Sequence, residues 1–198
     1  MIGTVLVLPS PLALLPPVST QDPVAELRAA CEQAVSELPD GEVIVVATPT
    51  SPESSARGVT DPLGHRVARH LLGDRPFVAE LALPWTAASL LGRDGGGPGP
   101  SVLVVMADGS ARRLEKAPGH LHPDAVPFDD ALEKALRTGD ADALALLDPE
   151  VATELWCESV SGWRLLGEVT RDRGVGTEVT YAEAPYGVAW WVARWDLS

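Results

Sequence analysis

The chain has four histidines, and two of them have a spacing that could bind a metal ion. His120 and His122 alternate in the run GHLHP, so an extended segment would present both imidazoles on one face, as half of a metal site. A solvated loop is the favoured interpretation, because two histidines alone do not define a site. His65 and His70 are five residues apart in a predicted helix, where their side chains diverge by about 140°. We interpret them as surface or helix-end residues.

A basic pair, Arg112 and Arg113, could bind an anion instead. A guanidinium matches the planar geometry of a carboxylate or phosphate. The favoured alternative is that both arginines form salt bridges within a loop, because the chain is strongly acidic, with a net charge of −13. No glycine-rich phosphate-binding motif and no G-x-S-x-G motif is present, so the sequence supports neither a nucleotide-binding loop nor a serine hydrolase.

Composition limits the partners and the compartment. The acidic balance argues against nucleic acid and against anionic membranes, since both require clustered Lys and Arg. The cysteines, Cys31 and Cys157, form no C-x-x-C pair and are expected to be reduced thiols. The apolar N-terminus lacks the features of a signal peptide, and no run has the length of a membrane span. We therefore expect a cytoplasmic protein with one domain over residues 1–198.

The hydrophobic pattern predicts the elements that must position these residues. Short continuous apolar runs are typical of buried strands, and a 3.6-residue period is typical of helices. Predicted strands are at 2–8, 42–47, 77–83 and 102–106, predicted helices at 22–38, 61–72, 128–138, 140–147, 150–157 and 163–170, and strand-like alternation at 179–181 and 188–195. This order predicts an α/β fold with a single-domain, largely parallel sheet flanked by helices.

Three loops follow the strongest strands, at residues 9–17, 48–60 and 107–118. Ligands of parallel α/β sheets bind outside the carboxyl ends of the strands, so these loops are the expected site. The glycine-rich stretch 93–100, RDGGGPGP, is predicted to be the most flexible part of the chain, but it is too short to separate two domains.

The segment VLVVMADGSARRLEKAPGHLHPDAVPFDDAL, residues 102–132, resembles the catalytic segment of the class III extradiol ring-cleavage dioxygenases, the superfamily of the protocatechuate dioxygenase catalytic subunit. The shared order is a buried strand, a Ser-containing strand end, a basic loop, and Phe-Asp before a helix. The resemblance covers most of the chain and implies the class III extradiol dioxygenase (LigB-like) fold. It also implies an active site built from the same three loops, with two histidines and one glutamate binding Fe(II) and a further histidine acting as acid and base.

This sequence departs from the family pattern at each histidine. Ser10 and Thr50 stand where the metal histidines are expected, and Ala111 replaces the acid/base histidine after Ser110. Cys157 or Glu158 lies about where the third ligand would fall. Serine and threonine hydroxyls are poor ligands for Fe(II), and alanine cannot move a proton. The resemblance therefore implies a non-catalytic relative without a cofactor, whose pocket is kept for a small molecule. The expected pocket residues are Ser10, Thr50, Ser110, Ala111, Arg112, Cys157 and Glu158.

Two alternatives remain open. An active metal-dependent, dioxygenase-like oxidoreductase could bind Fe(II) or another divalent metal through a new set of ligands, drawn from His120, His122, Cys157, Glu158 and Asp108. A subunit or scaffold protein could instead act through an interface of C-terminal aromatic residues, and a homo-oligomer is one form of this. The segment TYAEAPYGVAWWVARW resembles the end of a branch of small proteins in the superfamily that also lacks the metal histidines. The tryptophans toward the C-terminus are otherwise expected to pack in the core.

Overall fold

One mixed sheet organises the protein in a computed structural model that describes residues 1–16, 22–93 and 99–198. Its strands are β1 (Ile2–Leu8), β2 (Val43–Ala47), β3 (Val78–Leu81), β4 (Ser101–Met106), β5 (Val175–Glu183) and β6 (Trp190–Leu197). The order across the sheet is β3-β2-β4-β1-β6-β5. The first four strands are mutually parallel, β6 is antiparallel to β1, and β5 is antiparallel to β6. The predicted α/β class with a mostly parallel sheet is confirmed.

Helices cover both faces of this sheet. Their bounds are α1 (Ala25–Ser36), α2 (Pro52–Ala56), α3 (Leu63–Leu72), α4 (Thr86–Leu91), α5 (Ala125–Thr138), α6 (Ala141–Ala145), α7 (Pro149–Glu154) and α8 (Val160–Thr170). One face packs on α1 and α3, and the other packs on α4, α5, α6 and α8. The sequence pattern missed α4 and α2, which are short, and placed the start of α5 three residues late. None of the helices in the described ranges is both long and apolar enough to span a membrane.

The core consists of two layers because the parallel strands are buried on both faces. Val5 and Val7 of β1 point to the layer under α5 and α8, whereas Leu6 and Leu8 point to the layer under α1 and α3. Burying each such side chain stabilises the fold by about 1.5–3 kcal/mol. This double burial explains why the strands read as continuous apolar runs.

The C-terminal tryptophans belong mainly to this core. Trp191 and Trp195 are fully buried, and the Trp191 ring meets the Trp163 ring edge-to-face with centroids 5.8 Å apart. The indole Nε1 of Trp195 donates a hydrogen bond of 2.9 Å to the carbonyl of Leu136. Trp190 is buried in the opposite layer. An interface built on these rings would have to expose core residues, so the structure favours their packing role.

Two segments predicted from the sequence fall partly outside the described residues. The glycine-rich stretch 93–100 includes residues 94–98, and the loop after the first strand includes residue 17. The rest of each loop is described, including the part that reaches the candidate site.

Candidate functional site

A cavity of about 570 Å³ lies at the carboxyl edge of the parallel strands. The loops after β1, β2 and β4 form its walls, together with the first residues of α3 and the residues that lead into α8. Ser10, Thr50 and Ala111, which come from three different loops, all line this cavity, and so does Glu158. The structure therefore brings together four of the seven residues expected from the sequence.

Sheet topology explains this convergence. The central strand β4 lies between β1 and β2, and all three run in the same direction, so their carboxyl ends are neighbours. A crevice forms at such an edge where the connections diverge. Gly64, in the first turn of α3, closes the floor: a Cβ atom there would lie 2.8 Å from the Cβ of Ala47 and 2.9 Å from that of Met106. Glycine is required at this position for α3 to pack directly on the strand ends.

Asp108, just after β4, provides the buried acidic group of the cavity. Its carboxylate accepts hydrogen bonds from the Ser10 hydroxyl, at 2.7 Å, and from the Ser10 backbone amide, at 3.0 Å. Burial raises the pKa of Asp108, the two hydrogen bonds from Ser10 partly oppose this, and the nearby charge of Glu158 raises the pKa further. In the described part of the chain, no arginine or lysine is paired with this carboxylate.

The backbone of Asp108 is anchored from α8 and the segment before it. The Asp108 amide donates to the Ser159 hydroxyl at 3.0 Å. The Asp108 carbonyl accepts from the indole Nε1 of Trp163 at 3.0 Å and from the thiol of Cys157 at 3.5 Å. Cys157 is thus turned into the protein and does not line the cavity, and burial raises the pKa of its thiol. Of the adjacent pair Cys157 and Glu158, only Glu158 reaches the site.

Ser110 and Arg112 also lie outside the cavity lining, contrary to expectation. The Ser110 hydroxyl donates to the carbonyl of Leu155 at 2.7 Å and accepts from the Arg112 amide at 3.1 Å. The Arg112 guanidinium donates to the carbonyls of Gly119, at 2.8 Å, and Glu154, at 2.9 Å. Arg112 therefore joins two loops through main-chain contacts and is not available as an anion clamp.

Arg113 forms the salt bridge that the sequence suggested for the basic pair. Its guanidinium lies 3.1 Å from the Asp129 carboxylate, which is fully buried near the start of α5. The other Asp129 oxygen accepts from the Ser110 amide at 2.8 Å. Burial raises the pKa of Asp129 to about 6, although the hydrogen bonds from Ser110 and Arg113 lower it. This Asp129 network holds the loop that carries Ala111.

The histidines do not contribute to the site. His122 lies 3.4 Å from Glu154 and His120 lies 3.3 Å from the Glu115 carbonyl, and neither lines the cavity. His70 is exposed near the end of α3, and His65 lies in its first turn, so both are near helix ends, as expected. His65 is nevertheless buried, with its Nε2 2.8 Å from the Glu80 carbonyl, so the surface alternative is wrong for it. Across residues 1–16, 22–93 and 99–198, no cluster of three or more His, Cys, Asp or Glu side chains is placed to hold a metal ion.

The cavity donors do not fit the Fe(II) centre that the family resemblance implies. At the two histidine positions, Ser10 donates its hydroxyl proton to Asp108, and Thr50 presents a neutral hydroxyl. A non-heme Fe(II) site of this type requires two imidazoles and a carboxylate. Glu158 supplies a carboxylate at the expected position and Asp108 adds a second, but no imidazole lies in the described lining, so the required ligand set is absent there.

Among the lining residues that sequence reasoning did not single out for the pocket are Thr48, Trp156 and Trp190. The hydroxyl oxygens of Thr48 and Thr50 are buried and have no hydrogen-bond partner in the part of the chain that is described. Trp156 is 51% exposed and has a φ of 54°, which turns its ring out of the α7–α8 connection beside the cavity. No pattern in the sequence marks this left-handed residue, because only glycine and asparagine are common there.

The arrangement can bind a small molecule through hydroxyls, carboxylates and indole rings, but it contains no imidazole or thiol in its described lining. No protein-family model matches this chain, and the search of curated proteins finds no match for it either.

Proposed function

We propose that this protein is a non-catalytic relative of the class III extradiol dioxygenases that binds a small organic molecule at the position of the family's metal centre. The observation that carries the proposal is that Ser10, Thr50 and Ala111 line one cavity. In the proposed correspondence, these residues stand at the positions of the family's histidines, and they come from distant parts of the chain. Their meeting at one pocket supports the correspondence and gives the pocket a role without the metal.

The size and chemistry of the cavity support ligand binding. Small-molecule sites are typically clefts of about 300–1,000 Å³ with apolar walls and a few placed polar groups. This cavity, of about 570 Å³, combines the apolar side chains of Val59, Leu63 and Trp156 with the carboxyl group of Asp108. A buried carboxyl with a raised pKa and no paired cation lowers stability, and such groups cluster at functional sites.

Ring cleavage is not supported by the same residues. Ala111 provides no acid or base, and general acid–base catalysis typically contributes about 10²–10⁴-fold to a rate. Asp108 is the buried titratable side chain of the cavity, and it is hydrogen-bonded to Ser10 rather than to a metal-binding group.

A thermal-shift screen with a cavity-blocking variant tests the proposal. Wild-type protein, Ala111→Leu and Ala131→Leu are screened against a library of small metabolites. Ala131 is exposed on α5, away from the cavity, so its variant is the matched control. We expect compounds that raise the Tm of the wild type and of Ala131→Leu but not that of Ala111→Leu, since a ligand at 100 times its Kd stabilises by about 2.7 kcal/mol. Shifts that persist in Ala111→Leu, or no shift at all, would contradict the proposal.

The alternative of an active oxidoreductase is tested separately. Protein purified anaerobically and incubated with Fe(II) is mixed with a catechol, and oxygen consumption is recorded. We expect no consumption above that of Fe(II) alone and less than one bound metal per chain by mass spectrometry. Stoichiometric metal together with protein-dependent oxygen consumption would show that the site is catalytic and would overturn the proposal.

A further inference from the structure

We propose that the ligand of this pocket is an organic cation, an aromatic or aliphatic amine whose ammonium group lies between Asp108 and Glu158 and against an indole ring. This inference rests on the proposed function, because it names the chemical class of the ligand for the same cavity. It depends on the charge, the aromatic side chains and the hydrogen-bonding groups of the lining, which are independent of the family resemblance.

The charged groups of the lining have one sign. Asp108 and Glu158 line the cavity, and no Lys, Arg or His of the described residues does. The two are close enough that the charge of Glu158 raises the pKa of Asp108. A ligand carboxylate or phosphate would therefore meet two acidic groups and no compensating cation. A ligand ammonium would compensate both.

The N-terminal ends of two helices at the same edge of the sheet favour an anion, but their electrostatic effect is weaker than that of a carboxylate. The N-termini of α3 and α8 lie beside the cavity, where Leu63 and Ser159 line it. Each helix N-terminus carries roughly half a positive charge, and the effect falls off within the first turn. A carboxylate carries a full charge, and the charged side chains of the described lining are all acidic, so the field in the pocket favours a cation. The net charge of −13 on the whole chain acts in the same direction at long range.

Two indole rings give the pocket a surface suited to an ammonium group. Trp156 and Trp190 both line the cavity. A cation within about 6 Å of an indole face is attracted by the ring quadrupole, and tryptophan is the best of the aromatic residues at this. Trp190 is held in place by burial in the core and by the neighbouring Tyr186 ring, with centroids 6.1 Å apart. Trp156 is half exposed, so part of its ring is open to solvent.

Threonine hydroxyls add hydrogen-bond acceptors. Thr48 and Thr50 belong to the loop after β2 that forms one wall, and within the described residues their hydroxyl oxygens have no partner. Buried polar groups normally have a partner, so an unpartnered pair at a cavity wall needs an explanation. Rotation of either threonine side chain about χ1 would turn its hydroxyl toward the cavity, where the N–H groups of a bound ammonium would supply the donor.

A bound cation and the ionised form of Asp108 should stabilise each other. Burial raises the pKa of this carboxyl, and a neighbouring ammonium lowers it. The other titratable groups near Asp108 are Glu158 and the thiols of Cys157 and Cys31. Burial raises the pKa of both thiols, that of Cys31 to about 12, so they stay neutral near pH 7 and do not compensate a ligand charge.

Three probes of matched shape test the charge preference: benzylamine, benzyl alcohol and benzoate. Their binding to the full chain is measured by ligand-observed NMR titration at pH 7.5. We expect benzylamine, as its ammonium ion, to bind at least tenfold more tightly than benzyl alcohol, and benzoate not to bind.

Variants separate charge from shape. Asp108→Asn keeps the size of the side chain and should weaken benzylamine at least tenfold while leaving benzyl alcohol unchanged. Asp74→Asn removes an exposed carboxylate outside the cavity and is the control for net charge. Equal binding of benzylamine and benzyl alcohol, tighter binding of benzoate, or an equal loss in both variants would overturn the inference.

If none of the three probes binds but a library compound does, the inference is wrong and the proposed function stands. If none of the three probes and none of the library compounds binds, the inference and the proposed function are both wrong.

Discussion

Asp108 and Asp129 both carry buried carboxyl groups. Asp108 lies in the loop after β4 and Asp129 in the helix α5 that follows, and the two groups differ in their charged partners. Asp129 is sealed in the protein against the guanidinium of Arg113 and the amide of Ser110. Asp108 opens on a cavity, accepts hydrogen bonds from Ser10, and has Glu158 as its charged neighbour. Burial raises the pKa of both groups. The paired carboxylate explains how the loop is held, whereas Asp108 has no paired cation among the described residues and faces the candidate site.

The largest expected effect comes from removing the cation of the paired group. Arg113→Ala leaves the Asp129 carboxylate buried and uncompensated, and breaking such a pair typically lowers the free energy of unfolding by about 3–5 kcal/mol. We expect the free energy of unfolding, measured with urea, to fall by about 3 kcal/mol at pH 8. The fall should be smaller at pH 5, where Asp129 is protonated. Arg66→Ala, on an exposed part of α3, is the control. Equal losses in the two variants would break the comparison.

The pH dependence of stability should come next in size. The pKa of Asp129 is about 6 in the folded protein and about 3.9 in an unfolded chain. The folded state thus retains a proton that the unfolded state has lost between these values, and its stability falls as pH rises through this range. Asp129→Asn does not titrate, so the difference between its free energy of unfolding and that of the wild type should shift in favour of the variant by about 2 kcal/mol from pH 4 to pH 7. A constant difference across this range would show that Asp129 is not the titrating group.

Asp108→Asn should change the free energy of unfolding less than Arg113→Ala does, and it should raise this free energy rather than lower it. It removes the ionisation of an unpaired buried carboxyl and keeps an oxygen to accept from Ser10. We expect the free energy of unfolding to rise at pH 8 and to rise less at pH 4, because burial raises the pKa of the carboxyl that the variant removes. Lower stability of this variant at pH 8 would mean that Asp108 is structural, like Asp129, and would remove the contrast between them.

The smallest effect on stability is expected at Trp156. Its ring is half exposed, and its φ of 54° is strained for a residue other than glycine. In Trp156→Gly, relief of this strain should offset the lost packing against Gly119, so the free energy of unfolding should stay within about 0.5 kcal/mol of the wild type. Ligand affinity should still fall, as measured by titration. A stable variant with unchanged affinity would exclude Trp156 from the binding surface.

The sequence predicted the sheet well because its strands are buried on both faces. The runs at 2–8, 42–47 and 102–106 have few competing interpretations, and parallel strands must end at one edge, which is how the loops after them could be grouped in advance. Within these loops, the family resemblance singled out Ser10, Thr50 and Ala111. Side-chain direction could not be predicted. Arg112 and Cys157 lie next to the cavity residues in sequence, but both turn toward main-chain carbonyls that the fold brings near.

The short elements were missed for a related reason. Helix α4 spans Thr86–Leu91, too few residues to establish a 3.6-residue period. The role of Trp156 depends on one left-handed backbone angle, which no composition signal marks. The C-terminal alternation did predict strands, and β5 and β6 pair there as an antiparallel hairpin.

The anchoring of Asp108 through its backbone has a consequence for redesign. Its amide and carbonyl are fixed by Ser159, Trp163 and Cys157, so the course of the chain at this position does not depend on the carboxylate. The side chain at 108 can therefore be exchanged for an amide, an imidazole or a thiol while the scaffold stays in place. Combined with histidine at 10, 50 and 111, such exchanges make this protein a starting point for building new reactivity into an already folded pocket.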